Sequence, residues 1–111
     1  MPLEVEKRIL DALRACELIE SFTDGLDFRG FSGSELIKSA VERQFEIIGE
    51  ALNKASSLDA SLSQRVPEIP RIVGLRNRLI HGYDAVDDQL VWDIVQSKIK
   101  PLGIELAKLI D

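Results

Sequence analysis

The sequence predicts an all-α protein, an antiparallel bundle of four to five helices. Apolar residues recur at steps of three and four along most of the chain, which is the spacing of one helix face. Turn and capping residues separate these stretches at short intervals, as in an up-and-down bundle. No strand-like alternation of useful length is present. At 111 residues, we expect residues 1–111 to form a single domain.

The N-terminal half is predicted to hold two long helices. The first, over residues 3–22, ends at the Asp24-Gly25 turn, and the second begins at a capping box made by Ser32 and Glu35. Gly49, inside the second helix, lowers its stability by about 1 kcal/mol relative to Ala, and it either permits a close helix crossing or is a tolerated defect. The expected inward faces are Val5, Ile9, Ala12, Leu13, Cys16 and Ile19, then Leu36, Ala40, Val41, Phe45, Ile48 and Leu52, with Phe22, Phe28 and Phe31 closing the bundle end.

The C-terminal half is predicted to hold two further helices and a last helical segment. Pro70 suits the first turn of the third helix, and Gly82 suits its C-terminal end. Asp87 is the expected cap of the fourth helix, and Pro101 should kink or split it. A short helical turn is expected between residues 58 and 66. The inward faces are Ile72, Leu75 and Leu79, then Leu90, Val91, Ile94, Val95 and Ile99.

Composition excludes several classes of protein. Cys16 is the only cysteine and His81 the only histidine, so no intrachain disulfide can form and a self-contained structural zinc site is not expected. We expect no cofactor. No apolar run approaches the roughly 20 residues of a membrane span. The start Met1-Pro2-Leu3-Glu4 lacks the basic residues of a signal peptide. We therefore expect a cytoplasmic protein without a membrane partner.

Charge is distributed unevenly along the acidic chain. The net charge of −5 argues against non-specific nucleic-acid coating, because such binding scales with the cations that a protein presents. Residues 65–81, however, contain four arginines and a single acid, and residues 84–93 contain four aspartates and no base. The basic segment could form a small anion site on an otherwise repulsive surface.

A ten-residue window from Gly74 to Tyr83 carries the candidate chemistry. Asn77 and His81 are four residues apart and therefore share a helix face, whereas Arg76 and His81 lie about 140° apart on an ideal helix. The negative end of the helix dipole at His81 favours the imidazolium form and is expected to raise its pKa. From the residues alone, two interpretations stay open. Either His81 caps the helix and the arginines form a solvent-exposed face, or these residues form a catalytic site.

The string Arg-Asn-Arg-Leu-Ile-His-Gly-Tyr, from Arg76 to Tyr83, resembles the signature of the HepT-like toxins of the HEPN superfamily. Residues 41–51 and 91–95, the chain length and the all-helical order are also similar to that family. The resemblance implies a metal-independent endoribonuclease that acts as a homodimer, the toxin of a type VII toxin–antitoxin module. It also implies a cognate antitoxin, a minimal nucleotidyltransferase of the MntA type, that adds AMP to Tyr83.

The same resemblance assigns roles to the residues of the window. Arg76 and His81 correspond to the family's catalytic pair, and Asn77 to the polar residue that follows the arginine. His81 can act as acid or base near neutral pH, and Arg76 can hold two phosphate oxygens. Arg43 is a candidate for RNA-phosphate binding, and Arg78 either binds phosphate or pairs with an acid.

A two-fold dimer that pairs the third helices would bring two copies of Arg76 and His81 into one cleft. Two other functions compete with the toxin. One is a catalytically silent HEPN module that presents nucleotide or substrate to a nucleotidyltransferase, and the other is a helical dimer with only an assembly role.

Overall fold

The computed structural model describes residues 1–81 and 87–110, without the side chains of residues 79–81. Within these residues the chain folds into seven helices and no strands, which confirms the predicted all-α class. Five helices have ten residues or more, and two are single short turns. They are α1 (Leu3–Thr23), α2 (Phe28–Ser32), α3 (Glu35–Leu58), α4 (Leu62–Arg65), α5 (Ile69–His81), α6 (Asp88–Ser97) and α7 (Ile99–Ile110).

Helix α3 lies at the centre of the bundle, with α1 and α5 packed against it. Helix α7 packs on α1, and α6 packs on α7. The end of α1 at Thr23 and Asp24 lies beside the start of α7 at Lys100, so these two helices run in opposite directions. The largest fully buried side chains of the long helices come from α1, α3, α5 and α7, and they include Val5, Ile9, Ile19, Phe45, Ile48, Leu52, Ile72, Ile99, Leu102 and Leu106.

The ends of the helices largely follow the predicted signals. Helix α1 stops at Thr23, and Gly25 then adopts a φ of 76°, a left-handed conformation that glycine accepts without strain. The Asp87 side chain caps α6 by accepting a hydrogen bond from the amide of Gln89. Pro101 lies in the first turn of α7, so the predicted interruption falls between α6 and α7.

The start of α3 corrects the prediction of a capping box at Ser32. The cap is Ser34, whose hydroxyl accepts a hydrogen bond from the amide of Ile37, and Ser32 instead ends the short helix α2. With this start, Ile37 faces the core, whereas Leu36 is 80% exposed. The prediction that Leu36 is buried was wrong because Leu36 lies about 140° from Val41 around the helix axis.

The aromatic residues after α1 partly confirm the predicted plug. Phe31 is buried, and its ring centroid lies 5.2 Å from that of Trp92 on α6. Phe22 and Phe28 are only half-buried against the core. The plug therefore joins α2 to α6, a pairing in which the aromatic rings add to the burial of apolar surface. No helix among residues 1–81 and 87–110 is both long and apolar enough to cross a bilayer.

Candidate active site

The candidate site lies along α5, the most basic helix of the described chain. Its thirteen residues include Arg71, Arg76 and Arg78 and no acid. Pro70 occupies the first turn as predicted, and Ile72 and Leu75 are buried, which fixes the rotation of the helix. With that rotation, Asn77 and Arg78 are exposed and Arg76 is half-buried.

The stem of Arg76 packs directly on the backbone of α3 at Gly49. A Cβ atom placed on Gly49 would lie 2.3 Å from the Cβ and 2.7 Å from the Cγ of Arg76. Both separations are far below van der Waals contact, so the two helices approach as closely as they do only because residue 49 has no side chain. The structure thus decides between the two interpretations of Gly49 in favour of a close helix crossing.

The guanidinium of Arg76 is held at its outer end by the next residue along the helix. Its Nη1 donates a hydrogen bond to Oδ1 of Asn77 over 3.0 Å. The Nε atom is buried and has no hydrogen-bond partner within the described part of the chain. Because arginine has only donors, the contact fixes which end of the Asn77 amide faces it and leaves Nδ2 for a different acceptor.

Helix α5 ends at His81, one residue before Gly82, where the sequence predicts its end. The side chain of His81 and all of Gly82 and Tyr83 lie outside the described residues. The catalytic role and raised pKa of His81, and the modification of Tyr83, therefore stay predictions. The structure describes the two helices that flank this segment in the sequence, α5 before it and α6 after it.

The two other predicted phosphate ligands differ in their surroundings. Arg43 on α3 is largely exposed, and its Nη1 lies 3.2 Å from Oε2 of Glu46 in an ion pair. Phosphate binding at Arg43 would therefore compete with a carboxylate. Arg78 is exposed on the basic helix α5. The structure places Arg43 six residues before Gly49, about 9 Å along the axis of α3.

Helix α6 is attached to α2 and α3 through Asp88. Its Oδ2 accepts hydrogen bonds from the Ser32 hydroxyl at 2.9 Å and from Nζ of Lys38 at 3.3 Å. Hydrogen bonds to Glu35 and then Asp88 raise the pKa of Lys38. Partial burial, followed by the charge of Asp88, raises the pKa of Glu42. These contacts fix the start of α6 against α2 and α3.

Comparison with known proteins identifies the family. The family model described as "Ribonuclease HepT-like" matches residues 12–109. The chain belongs to this family. A protein of Methanocaldococcus jannaschii named "Putative RNase MJ0125" is 32% identical over 109 residues, 96% of this chain and 91% of its own length. A "Probable ribonuclease HepT" of Thermococcus cleftensis is 36% identical over 101 residues, 89% of each chain. No solved structure matches the chain significantly.

Sequence reasoning on this HepT-like chain did not connect Gly49 with the candidate site. A signal was present, because Gly49 falls between Ile48 and Leu52 on the inward face of α3, where a glycine sacrifices packing as well as helix stability. A glycine at such a position indicates a close approach between two helices rather than a tolerated defect. The anchoring of α6 by Lys38 and Asp88 was also missed, since 50 residues separate them and no periodic pattern relates them.

Proposed function

We propose that this protein is a metal-independent endoribonuclease, the toxin of a type VII toxin–antitoxin module. The observation that carries the proposal is the arrangement of Arg76. Its stem is packed on Gly49 and its guanidinium is bonded to Asn77, at the positions that match the motif of the HepT-like family. A guanidinium held in this way is prepared for a phosphate group, which it can bind through two parallel hydrogen bonds. The relatives named as ribonucleases agree with an RNA substrate.

In the proposed reaction, the ribose 2′-hydroxyl attacks the adjacent phosphorus while His81 accepts its proton. A bond from the 2′-oxygen to phosphorus forms, and the bond from phosphorus to the 5′-oxygen breaks. The 5′-oxygen takes a proton from the second His81 of the dimer or from water and leaves, so the products are a 2′,3′-cyclic phosphate and a 5′-hydroxyl. Arg76 stabilises the charge that develops on the phosphorane oxygens. Asn77 holds the guanidinium of Arg76 through Oδ1 and keeps Nδ2 for a second acceptor at the site.

The proposed site is shared between two chains. Arg76 and His81 are about 140° apart around α5, so the side chains that act on one phosphate are proposed to come from both subunits. A dimer that pairs two copies of α5 would also double the basic charge facing the RNA. Arg78 is proposed to bind a neighbouring phosphate, and Arg43 a more distant one in competition with Glu46.

The proposed control by the antitoxin is covalent. The phenol oxygen of Tyr83 attacks the α-phosphorus of ATP, the bond to pyrophosphate breaks, and the phenol loses its proton. The product carries a bulky, negatively charged group two residues from His81. Such a group would exclude an RNA phosphate by sterics and by like-charge repulsion. Incubation with a minimal nucleotidyltransferase and ATP should add the mass of AMP to the parent protein and not to Tyr83→Phe.

The function is tested by RNA cleavage in EDTA with protein of confirmed intact mass. Arg76→Ala and His81→Ala should each lose at least about 100-fold in rate, the usual contribution of general acid–base or phosphate-stabilising groups. Arg14→Ala is the matched control, because it removes the same charge from an exposed position on α1, away from the proposed site, and it should cleave nearly as the parent does. An unmodified parent that cleaves neither tRNA nor total RNA would contradict the proposal and favour the silent binding module.

A further inference from the structure

We propose that Gly49 is a positioning residue for Arg76, so that the absence of a side chain on α3 sets where the catalytic guanidinium stands. The inference rests on the proposed function for its catalytic consequence, although the contact itself is independent of that function. Gly49 belongs to a different helix and lies 27 positions before Arg76, and it would touch neither RNA nor the reacting atoms. Gly49 is proposed to act only by leaving space for the side-chain carbons of Arg76.

The side chain of Arg76 fills the space in which a side chain at position 49 would lie. The three heavy atoms nearest to a Cβ on Gly49 would be Cβ, Cγ and Cδ of Arg76, at 2.3, 2.7 and 3.4 Å. The Cβ of Arg76 is fixed by the backbone of α5, so a change of rotamer cannot move it away. Restoring ordinary contact of at least 3.4 Å from 2.3 Å requires a displacement of about 1.1 Å. A methyl group at position 49 would therefore move α5 itself.

Other glycines in the helices do not have this relationship. A Cβ on Gly74, also in α5, would have no atom within 4 Å, and one on Gly103 in α7 would meet the Cβ of Cys16 at an ordinary 3.8 Å. Among the described glycines, Gly49 has the smallest separation between an added Cβ and another atom. The close approach is therefore specific to the point where α3 meets the arginine of the motif.

The contact restricts an otherwise flexible side chain from its base to its tip. Arginine stems usually sample many rotamers, but here three successive carbons lie against α3, Nε is buried and Nη1 is bonded to Asn77. Catalysis is sensitive to such placement, since a misplacement of about 1 Å can cost about 100-fold in rate. The displacement that Gly49→Ala forces is of that size.

The decisive comparison is Gly49→Ala against Gly103→Ala. Each variant adds one methyl group to a helix that packs against another helix. Steady-state cleavage is measured well below the unfolding temperature of each variant, and the folded fraction is determined by circular dichroism. We expect kcat per folded Gly49→Ala molecule to fall by about 100-fold, with a smaller change in KM, and Gly103→Ala to keep the parent values. Equal kcat per folded molecule in both variants would mean that Gly49 contributes only to helix packing, and it would overturn the proposal.

A second readout follows the arginine without RNA. The Nε–Hε signal of Arg76 in an NMR spectrum is assigned by its loss in Arg76→Lys. In Gly49→Ala this signal should shift or broaden, and in Gly103→Ala it should stay in place. An inactive parent protein in which Gly49→Ala still displaces the signal would refute the proposed function and leave the positioning intact. An unmoved signal in a folded Gly49→Ala protein would refute the positioning.

The parent protein supplies a test that does not depend on the folding of Gly49→Ala. Arg76 Nε–Hε should be as rigid as the backbone of α5 on the nanosecond timescale, in contrast to the exposed Arg71. If Gly49→Ala fails to fold, the double variant with Arg76→Gly should fold, because it removes all three atoms that the new methyl group would meet. A mobile Arg76 in the parent, or a double variant that also fails to fold, would contradict the proposal.

Discussion

Arg76 illustrates how much the neighbours of a proposed catalytic residue determine its surroundings. The same residue type two positions later, Arg78, is exposed, whereas Arg76 is half-buried, packed on Gly49 and bonded to Asn77. The sequence motif identifies the candidate site residues, but it does not predict which contacts hold the guanidinium of Arg76. That information lies in α3, because the stem of Arg76 takes its position from a residue far away in sequence.

Glu42 provides a residue-scale prediction about stability and pH. Partial burial raises its pKa above the ordinary value of 4.5, so the folded state binds the proton more tightly than the unfolded state. Stability is therefore lost as pH rises through 4.5 toward the folded-state pKa, and the ionised carboxylate is a net cost at pH 7. Glu42→Gln should raise the unfolding temperature at pH 7 by no more than about 2 °C, because solvent screens the partly exposed carboxylate.

The control for Glu42 is Glu50→Gln, which removes the same charge from an exposed position on α3. Thermal unfolding followed by circular dichroism at pH 7 and below pH 4 distinguishes the two sites. The gain from Glu42→Gln should disappear at the lower pH, where the parent carboxyl is protonated in both states. A gain that persists there, or one that Glu50→Gln shares, would show that burial of the Glu42 charge is not its origin.

At the scale of elements, Gly74 and Gly49 show that a glycine's cost depends on its surroundings. Gly74 lies within α5, is exposed, and would place an added Cβ in open space. Gly74→Ala should therefore gain helix propensity without a clash and raise the free energy of unfolding by about 0.5–1 kcal/mol. Urea unfolding measures the change in stability. A decrease would contradict the prediction and would mean that α5 depends on the conformational freedom of Gly74.

The element boundaries show what sequence patterns capture. Local signals were sufficient at Asp87, which caps α6, and at Pro70, which lies in the first turn of α5, because each acts on backbone groups close to it in sequence. Two serines stand before α3, and only Ser34 bonds to the amide of Ile37. Ser32 is used by Asp88 of α6 instead, a tertiary contact that overrides a valid local motif. The short helix α2 escaped prediction because its five residues hold no periodic pattern.

The same limit applies to the candidate site. Spacing along one helix correctly places Ile72 and Leu75 on the inward face of α5, because that placement depends only on helical geometry. The contact with Gly49 depends on the packing of α3 against α5, which periodicity cannot determine. Helix faces are thus predictable from one sequence, whereas the depth to which one helix packs into another is set by a few residues at the crossing.

At the scale of the whole molecule, charge distribution matters more than the total. The net charge is −5, yet the thirteen residues of α5 carry three arginines and no acid. The proposed RNA substrate would meet a basic strip on an acidic chain, which would confine binding to the proposed site. Dimerisation through α5 would concentrate the basic charge further, so the proposed assembly and the proposed substrate are consistent with each other.

Subunit mixing tests whether the site is shared between chains. Arg76→Ala and His81→Ala are each expected to be inactive as homodimers. In a mixed dimer, one chain retains Arg76 and the other retains His81, so a site that takes one residue from each subunit is intact once per dimer. Random exchange makes half of the dimers mixed, and about a quarter of the parent activity should return. If both residues of a site came from one chain, every site would lack one of them and no activity would return. Mixing either variant with itself controls for the exchange procedure, and native mass spectrometry confirms that mixed dimers have formed.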